Sequence, residues 1–336
     1  MLLAIGQFIA GVVLLLLGGE GVVRGASRLA ALARMSPLFI GLTIVSLGTS
    51  APEMAVSVAT AMEGKADITI GNVVGSNLFN MLMIVGVSAA FMALPVDRQI
   101  TFFDVPVMLS ATVAMFLMGI DGVMSRADGL LLVVAVLIYF AASFRLGKRN
   151  AGEKQTDQDM ASVLGEHYAA PEDQPLGRLL VSLLLNTLLL AFGIAGLVLG
   201  CDWFVDASVY FARVLGLSET VIGLTIVSAG TSLPELVTSV AATLKGERGI
   251  AIGNAVGSTT LNIFAVLGVT AIVASDGVAV DPDVQWVDAP IMIGCAVLSW
   301  VFFCTGRVIG RLEGWGLIGI YGAYLVFLLA RNGVFG

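Results

Sequence analysis

The stretch GLTIVSLGTSAPE (residues 41–53) recurs 182 positions later as GLTIVSAGTSLPE (residues 223–235). When 50 positions are aligned from the first glycine of each copy, 26 are identical without a gap. Each copy places one glutamate, Glu53 or Glu235, inside a long apolar stretch. A charge is costly in such a stretch, so a glutamate there is expected to be functional. The chain therefore contains a duplication whose copies each carry a carboxylate, and this pair points to cation transport.

The composition indicates a membrane protein. Of the 336 residues, 58% are hydrophobic and 12% charged, and the mean hydropathy is +0.98, whereas about a quarter of the residues in a typical soluble domain are charged. A spanning helix needs roughly 20 apolar residues. The sequence thus predicts an all-α integral membrane protein with ten transmembrane helices. The predicted spans are 2–19 (or on to 33), 37–62, 68–94, 103–120, 129–146, 178–200, 219–244, 250–274, 287–305 and 315–331.

The repeat extends beyond the motif and predicts two inverted halves. Each span of one five-helix half has a counterpart in the other half. Because five is an odd number of spans, the second half has the opposite orientation in the bilayer. We predict a first repeat at residues 1–146, a cytoplasmic linker at 147–177 and a second repeat at 178–336. The odd-numbered loops hold 13 of the 17 Lys and Arg residues. The positive-inside rule makes those loops cytoplasmic and places both termini outside.

The first motif combines a helix breaker with oxygen donors. Pro52 removes a backbone donor, and together with Gly48 it is expected to loosen the helix and free carbonyl groups around residues 45–49. Thr49, Ser50 and Glu53 follow at helical spacing. The second copy repeats the pattern with Gly230, Thr231, Ser232, Pro234 and Glu235.

A second motif follows each copy, GNVVGSNLFN at residues 71–80 and GNAVGSTTLN at residues 253–262. Asn72, Ser76 and Asn80 are spaced by four and form a polar stripe. Their counterparts are Asn254, Ser258 and Asn262. Asn72 and Asn254 are equally well explained as ligands or as hydrogen-bonding links between helices. The glycines in G-x-x-x-G spacing favour close helix packing.

The motifs supply oxygen donors, which suit hard cations. Calcium takes six to eight oxygen ligands, sodium also accepts them, and a proton could neutralise a carboxylate. Neither motif contains the His or Cys that a softer transition metal would recruit. These residues leave sodium and protons both open as the exchanged ion. Elsewhere, Asp104 and Asp288 each stand two residues before a proline, a pattern typical of helix caps.

At these two pairs of motifs the chain resembles the sodium/calcium exchanger family, in its compact prokaryotic form. The resemblance implies ten spans, an inverted repeat and alternating access to a shared central site. It implies Glu53 and Glu235 as the principal calcium ligands. The residues it adds to the calcium and sodium sites are Thr49, Ser50, Thr231, Ser232, Ser76, Asn80, Ser258 and Asn262, with carbonyl groups near Ser46 and Ser228.

The predicted function is exchange of Ca²⁺ for Na⁺ in the cell membrane, which in a prokaryote is the plasma or inner membrane. A Ca²⁺/H⁺ antiporter and, less favoured, a cation channel are the alternatives. Ca²⁺ and Na⁺ are substrates, and the lipid bilayer is the expected surrounding. We expect no enzyme activity, cofactor, nucleic acid or obligatory protein partner. Asn262 occupies a position where some family members carry aspartate, so the site has two formal negative charges and its stoichiometry stays open.

Overall fold

The computed structural model describes residues 1–33, 35–62, 67–154, 176–216 and 228–332. In these residues the chain is helical, with four two-residue strands in the connections between helices. The helices are α1 (Leu2–Leu32), α2 (Pro37–Thr49), α3 (Ala51–Met62), α4 (Thr69–Phe91), α5 (Ile100–Met118), α6 (Arg126–Lys154), α7 (Leu176–Val214), α8 (Ser228–Gly230), α9 (Leu233–Leu244), α10 (Arg248–Val273), α11 (Val284–Cys304) and α12 (Arg311–Arg331).

The described helices confirm an all-helical membrane protein. Eight of them are long and apolar enough to cross a membrane, or nine when the bent pair α2 and α3 counts as one span. Residues 219–227 of the predicted span 219–244 lie outside the described residues, and its remainder contains α8 with 3 residues and α9 with 12 residues. Residues 155–175 of the predicted linker also lie outside them. The count of ten helices and the proposed domain boundaries therefore stay predictions.

Two helices form the centre of the molecule. The most apolar windows of α4 and α10 are 78% and 83% buried, against 28% for α1 and 22% for α7. The outer helices expose large apolar side chains, such as Leu16 at 65% and Leu184 at 60%. Exposed apolar faces of this extent fit contact with lipid. The two polar stripes predicted from the second motif thus lie on the most deeply buried helices.

Glycines let α1 and α7 cross in close contact. Gly11, Gly18 and Gly25 recur every seven residues along one side of α1. A Cβ atom added to Gly18 would lie 2.7 Å from the Leu197 nitrogen, and one on Gly11 2.8 Å from the Phe204 nitrogen. Any larger residue would push the two backbones apart. The contact also explains why α7 continues to Val214 instead of ending near residue 200 as predicted.

The G-x-x-x-G pair of the second repeat packs as predicted, whereas in the first repeat a Cβ atom on Gly71 would have no described atom within 4 Å. A Cβ atom on Gly253 would lie 2.8 Å from the Leu38 carbonyl oxygen. One on Gly257 would lie 2.7 Å from both the Leu42 carbonyl oxygen and Ser46 Oγ. The missing side chains therefore bring α10 directly against α2, the helix that leads into the first motif.

Four short strands tie loops that are far apart in sequence. β1 (Leu94–Pro95) pairs antiparallel with β4 (Val308–Ile309), with Leu94 opposite Ile309. β2 (Val123–Met124) pairs antiparallel with β3 (Val278–Ala279), with Val123 opposite Ala279. Each pair therefore places one loop of the first half beside one loop of the second.

The prediction that Asp104 and Asp288 cap helices is wrong. Both helices begin about one turn earlier, at Ile100 and Val284, and neither aspartate makes a side-chain capping bond. The Tyr139 hydroxyl donates to Asp104 Oδ1 at 3.1 Å. Asp288 instead accepts from Tyr324 at 3.2 Å and pairs with Arg331 at 2.8 Å. Buried carboxylates need such partners, so both side chains bond to the neighbouring helix rather than to their own backbone.

Candidate ion-binding site

Both copies of the first motif break a helix. In the first copy the axes of α2 and α3 differ by 43°, with Ser50 at the break. Pro52 has no N–H group to continue the ladder of α2. In the second copy α8 ends at Gly230 and α9 begins at Leu233, and Pro234 occupies the first turn of α9. Both copies therefore confirm the predicted loosening of the helix. In the first copy the break lies at Ser50, one residue after the predicted range 45–49.

The two breaks meet through a reciprocal pair of hydrogen bonds. Ser50 Oγ donates to Glu235 Oε1 at 2.9 Å, and Ser232 Oγ donates to Glu53 Oε1 at 3.0 Å. The exposed fractions of Glu53 and Glu235 are 1% and 0%. Among the described residues, neither Oε2 atom has a hydrogen-bond partner. In each carboxylate, one oxygen therefore accepts a hydrogen bond from a serine of the other copy, and the second oxygen has no partner among the described residues.

Polar side chains of α4 and α10 lie beside the glutamates or carry buried atoms without a described partner. Ser258 Oγ lies 3.5 Å from Glu235 Oε1. Asn262 Nδ2 donates to Asn77 Oδ1 at 3.2 Å, which leaves Asn262 Oδ1 without a partner in the described part of the chain. Ser76 Oγ and both amide atoms of Asn80 are likewise buried and unpaired there. Buried polar atoms are nearly always hydrogen-bonded. A group of buried polar atoms without described partners is therefore typical of a site that binds a ligand.

The family profile described as "Sodium/calcium exchanger protein" matches residues 3–145 and 185–330. The chain belongs to the sodium/calcium exchanger family. Sodium/calcium exchanger MaX1 from Methanosarcina acetivorans is 32% identical, over 95% of this chain and 96% of that protein. Inner membrane protein YrbG from Escherichia coli is also 32% identical, over 98% of this chain and 96% of that protein.

The fold is shared with a solved member of the exchanger family. The structure of the sodium-calcium exchanger NCX_Mj soaked with 10 mM Na⁺ and zero Ca²⁺ matches with a TM-score of 0.80 at 28% identity. The match covers 97% of this chain and 98% of that one. These similarities confirm a compact, multi-pass membrane transporter of the exchanger family and exclude an enzyme.

Two asparagines of this exchanger serve as links between helices. Asn254 Nδ2 donates to the Glu235 carbonyl oxygen at 3.1 Å and to Ser239 Oγ at 3.0 Å. Its Oδ1 accepts from Thr49 Oγ1 at 3.0 Å. The counterpart Asn72 donates to Ser57 Oγ at 3.3 Å. These contacts favour the linking role that the sequence left undecided for Asn72 and Asn254.

The remaining predicted ligands differ in whether their oxygen atoms already accept or donate hydrogen bonds. The Ser46 carbonyl oxygen already accepts from Ser50 N at 2.9 Å and from Thr49 Oγ1 at 3.4 Å, so it is not bare. Thr231 Oγ1 is buried and unpaired among the described residues. Ser228 lies at the start of α8, three residues before the break begins at Thr231.

Sequence reasoning missed three residues that lie within or beside the two motifs. Cys201 Sγ donates to the Gly230 carbonyl oxygen at 2.7 Å. That carbonyl lies four residues before Pro234 and therefore lacks its helical donor, a signal that could have prompted a search for a substitute. Asn77 holds Asn262, and Thr238 Oγ1 is buried and unpaired in the described chain. Neither occupies a position where the two copies agree, so the repeat gave no signal for them.

Proposed function

We propose that this chain is a secondary antiporter that exchanges Ca²⁺ for Na⁺ at one central site. The observation that carries the proposal is the reciprocal bonding of Ser50 to Glu235 and of Ser232 to Glu53. Because each carboxylate is held by the other copy, the two motifs form a single site. Burying two carboxylates costs several kcal/mol unless cations accompany them. A Ca²⁺ ion or Na⁺ ions would provide that compensation.

We propose two inverted halves, residues 1–146 and 178–336, joined by the linker 147–177, and the strand pairs support the inversion. Along the chain, β1 precedes α5 and β2 follows it, so the two strands lie on opposite sides of the membrane. In the second half β3 precedes α11 and β4 follows it. Since β1 pairs with β4 and β2 with β3, α5 and its counterpart α11 run in opposite directions. This is the arrangement expected of an inverted repeat with ten spans.

The proposed orientation places the linker in the cytoplasm and both termini outside. It rests on the 13 of 17 basic residues in the odd-numbered loops. The cell membrane is the proposed location, which the inner-membrane relative from Escherichia coli supports. In this orientation β1 and β4 face the cytoplasm.

The proposed ligands come from both breaks and both central helices. Glu53 and Glu235 would supply the charge, each through its unpaired Oε2 atom. The Ser46 carbonyl would join only if Thr49 Oγ1 gave up its bond to it. The other proposed ligands are Thr49, Ser50, Thr231, Ser232, Ser76, Asn80, Ser258, Asn262 and the carbonyl near Ser228.

Alternating access would follow from the position of the site between two halves. Each glutamate belongs to a different half, so a rocking motion that parts α2 and α3 from α10 would open the site to one side. The counterpart motion would open it to the other side. Calcium and sodium would compete because the same two carboxylates serve both ions.

Calcium uptake is expected to follow a sodium gradient. In liposomes containing the purified protein, an outward sodium gradient should drive calcium uptake, whereas an outward proton gradient without sodium should not. The Glu53→Gln protein provides the baseline. Uptake that follows the proton gradient and ignores sodium would instead establish a Ca²⁺/H⁺ antiporter. Calcium currents without any counter-ion would establish a channel.

Exchange is expected to be electrically neutral. Two formal negative charges balance one Ca²⁺ ion or two Na⁺ ions, and a third Na⁺ would leave the buried site with a net charge that is costly at this depth. Calcium uptake at a fixed sodium gradient should therefore be unchanged by an imposed potassium diffusion potential. Asn262→Asp adds a third carboxylate and should make uptake depend on the potential. Dependence on the potential in the native protein would contradict neutral exchange and would indicate a ratio other than two Na⁺ per Ca²⁺, such as one with a third sodium ion.

A further inference from the structure

A cavity of about 560 Å³ opens between the start of α7 and the last turns of α1. Two arginines line it, Arg28 on α1 and Arg178 on α7. Val181 and Leu185 form an apolar wall, and both side chains lie in the lipid-facing surface of α7. The cavity therefore combines positive charge with an apolar face that continues into the membrane surface.

The charge in this cavity is not neutralised by the described chain. Both arginines are exposed, and no carboxylate of the described residues pairs with either. Glu20, two turns before Arg28 on α1, is already shared by Arg24 and Lys245. An anion that entered the cavity would thus meet two guanidinium groups that no described carboxylate neutralises, and guanidinium groups bind phosphate oxygens well.

The two ends of the α1–α7 pair are packed differently in the described residues. At the opposite end, Phe8 of α1 packs against Phe204 and Phe211 of α7, with ring centroids 5.1 and 6.1 Å apart. At the cavity end the close packing reaches Gly25 against Asn186 and Leu190. From that contact outward, the polar side chains of Asn186 and Ser182 line the space instead of aromatic rings.

We propose that this cavity binds the headgroup of an anionic phospholipid, with the phosphate between Arg28 and Arg178 and an acyl chain along Val181 and Leu185. The proposed orientation places the cavity in the cytoplasmic leaflet, where anionic lipids attract basic residues. A bound lipid would join the outer faces of α1 and α7. A free phosphate ion would use the arginines but would gain nothing from the apolar wall, which is why a lipid is the occupant.

The test measures lipid binding to the purified full-length protein in detergent by native mass spectrometry. Dioleoyl phosphatidylglycerol should bind in preference to dioleoyl phosphatidylcholine. Arg28→Gln/Arg178→Gln should weaken phosphatidylglycerol binding roughly 25-fold, at about fivefold for each basic group. The charge-retaining variant Arg28→Lys/Arg178→Lys should keep most of the binding. A matched control, Arg307→Gln/Arg311→Gln, removes two exposed arginines elsewhere and should bind like the native protein.

Three results would overturn the proposal. One is equal phosphatidylglycerol binding by the Arg28→Gln/Arg178→Gln protein and the native protein. Another is loss of phosphatidylglycerol when inorganic phosphate is added at the same concentration, which would assign the cavity to a soluble anion. The third is binding that appears only after Glu172→Gln/Asp173→Gln, which would make the chain's own acidic segment the occupant. Equal melting temperatures of the variants and the native protein, without lipid, show that folding is retained.

Discussion

Replacing Glu53 or Glu235 by glutamine is expected to abolish calcium transport. Each side chain is buried, accepts one hydrogen bond from the other copy, and has one oxygen without a partner among the described residues. Glutamine keeps the size but removes the charge that balances the cation. Loss of a residue that merely supports a metal ligand costs 10–100-fold in affinity, so loss of a charged ligand should cost about 100-fold or more. Sodium-driven calcium uptake into liposomes measures the effect.

The matched control for these glutamates is Asp276→Asn, which removes an exposed carboxylate whose described partner is the adjacent Ser275. It should transport calcium at the native rate. Native-rate transport by either Glu53→Gln or Glu235→Gln would remove that carboxylate from the site. If only one of the two variants fails, the carboxylates act separately and the single-site proposal does not hold.

Placing a methyl group on Gly257 is expected to separate α10 from α2 and to suppress transport. In Gly257→Ala the new Cβ would lie 2.7 Å from the Leu42 carbonyl oxygen and 2.7 Å from Ser46 Oγ. The first of these atoms is backbone and cannot move aside without shifting α2. Overpacking of this kind typically costs about 1–3 kcal/mol. The shift would also displace the start of the first motif, so calcium uptake should fall together with the melting temperature in detergent.

Gly294→Ala is the control for this substitution. Gly294 lies in a helix, and an added Cβ would have no atom within 4 Å. Alanine also favours a helix over glycine by roughly 1 kcal/mol, so this variant should be at least as stable as the native protein. If Gly257→Ala matched it in melting temperature and in transport, the close contact between α10 and α2 would not be required.

Much of the architecture was predictable because it is encoded locally. Long apolar stretches located most of the spans, and the duplicated motif located both helix breaks. The error at α7 arose where Asp202 interrupts the apolar stretch. Asp202 lies on the exposed side of α7, while Gly200 packs against α1. The helix therefore continues because of a packing partner about 185 positions away, which a hydropathy pattern does not reveal.

The errors at Asp104 and Asp288 have a similar origin. An acid two residues before a proline is a sound local signal for a cap. In the folded chain, however, Tyr139 and Tyr324 on neighbouring helices offer hydroxyl groups, and Arg331 offers a charge. Partners of this strength prevail over a weak capping preference in a low-dielectric interior.

The sequence by itself determined that the chain crosses a membrane, that it is duplicated, and that each copy contributes one buried glutamate beside a proline. These properties follow from composition and spacing, which act over one helix at a time. Only the tertiary structure decided that Ser50 bonds Glu235, 185 positions away, and that Ser232 bonds Glu53, 179 positions away. Such contacts depend on how closely whole helices approach, and this distance is fixed by glycines such as Gly257 on a different helix.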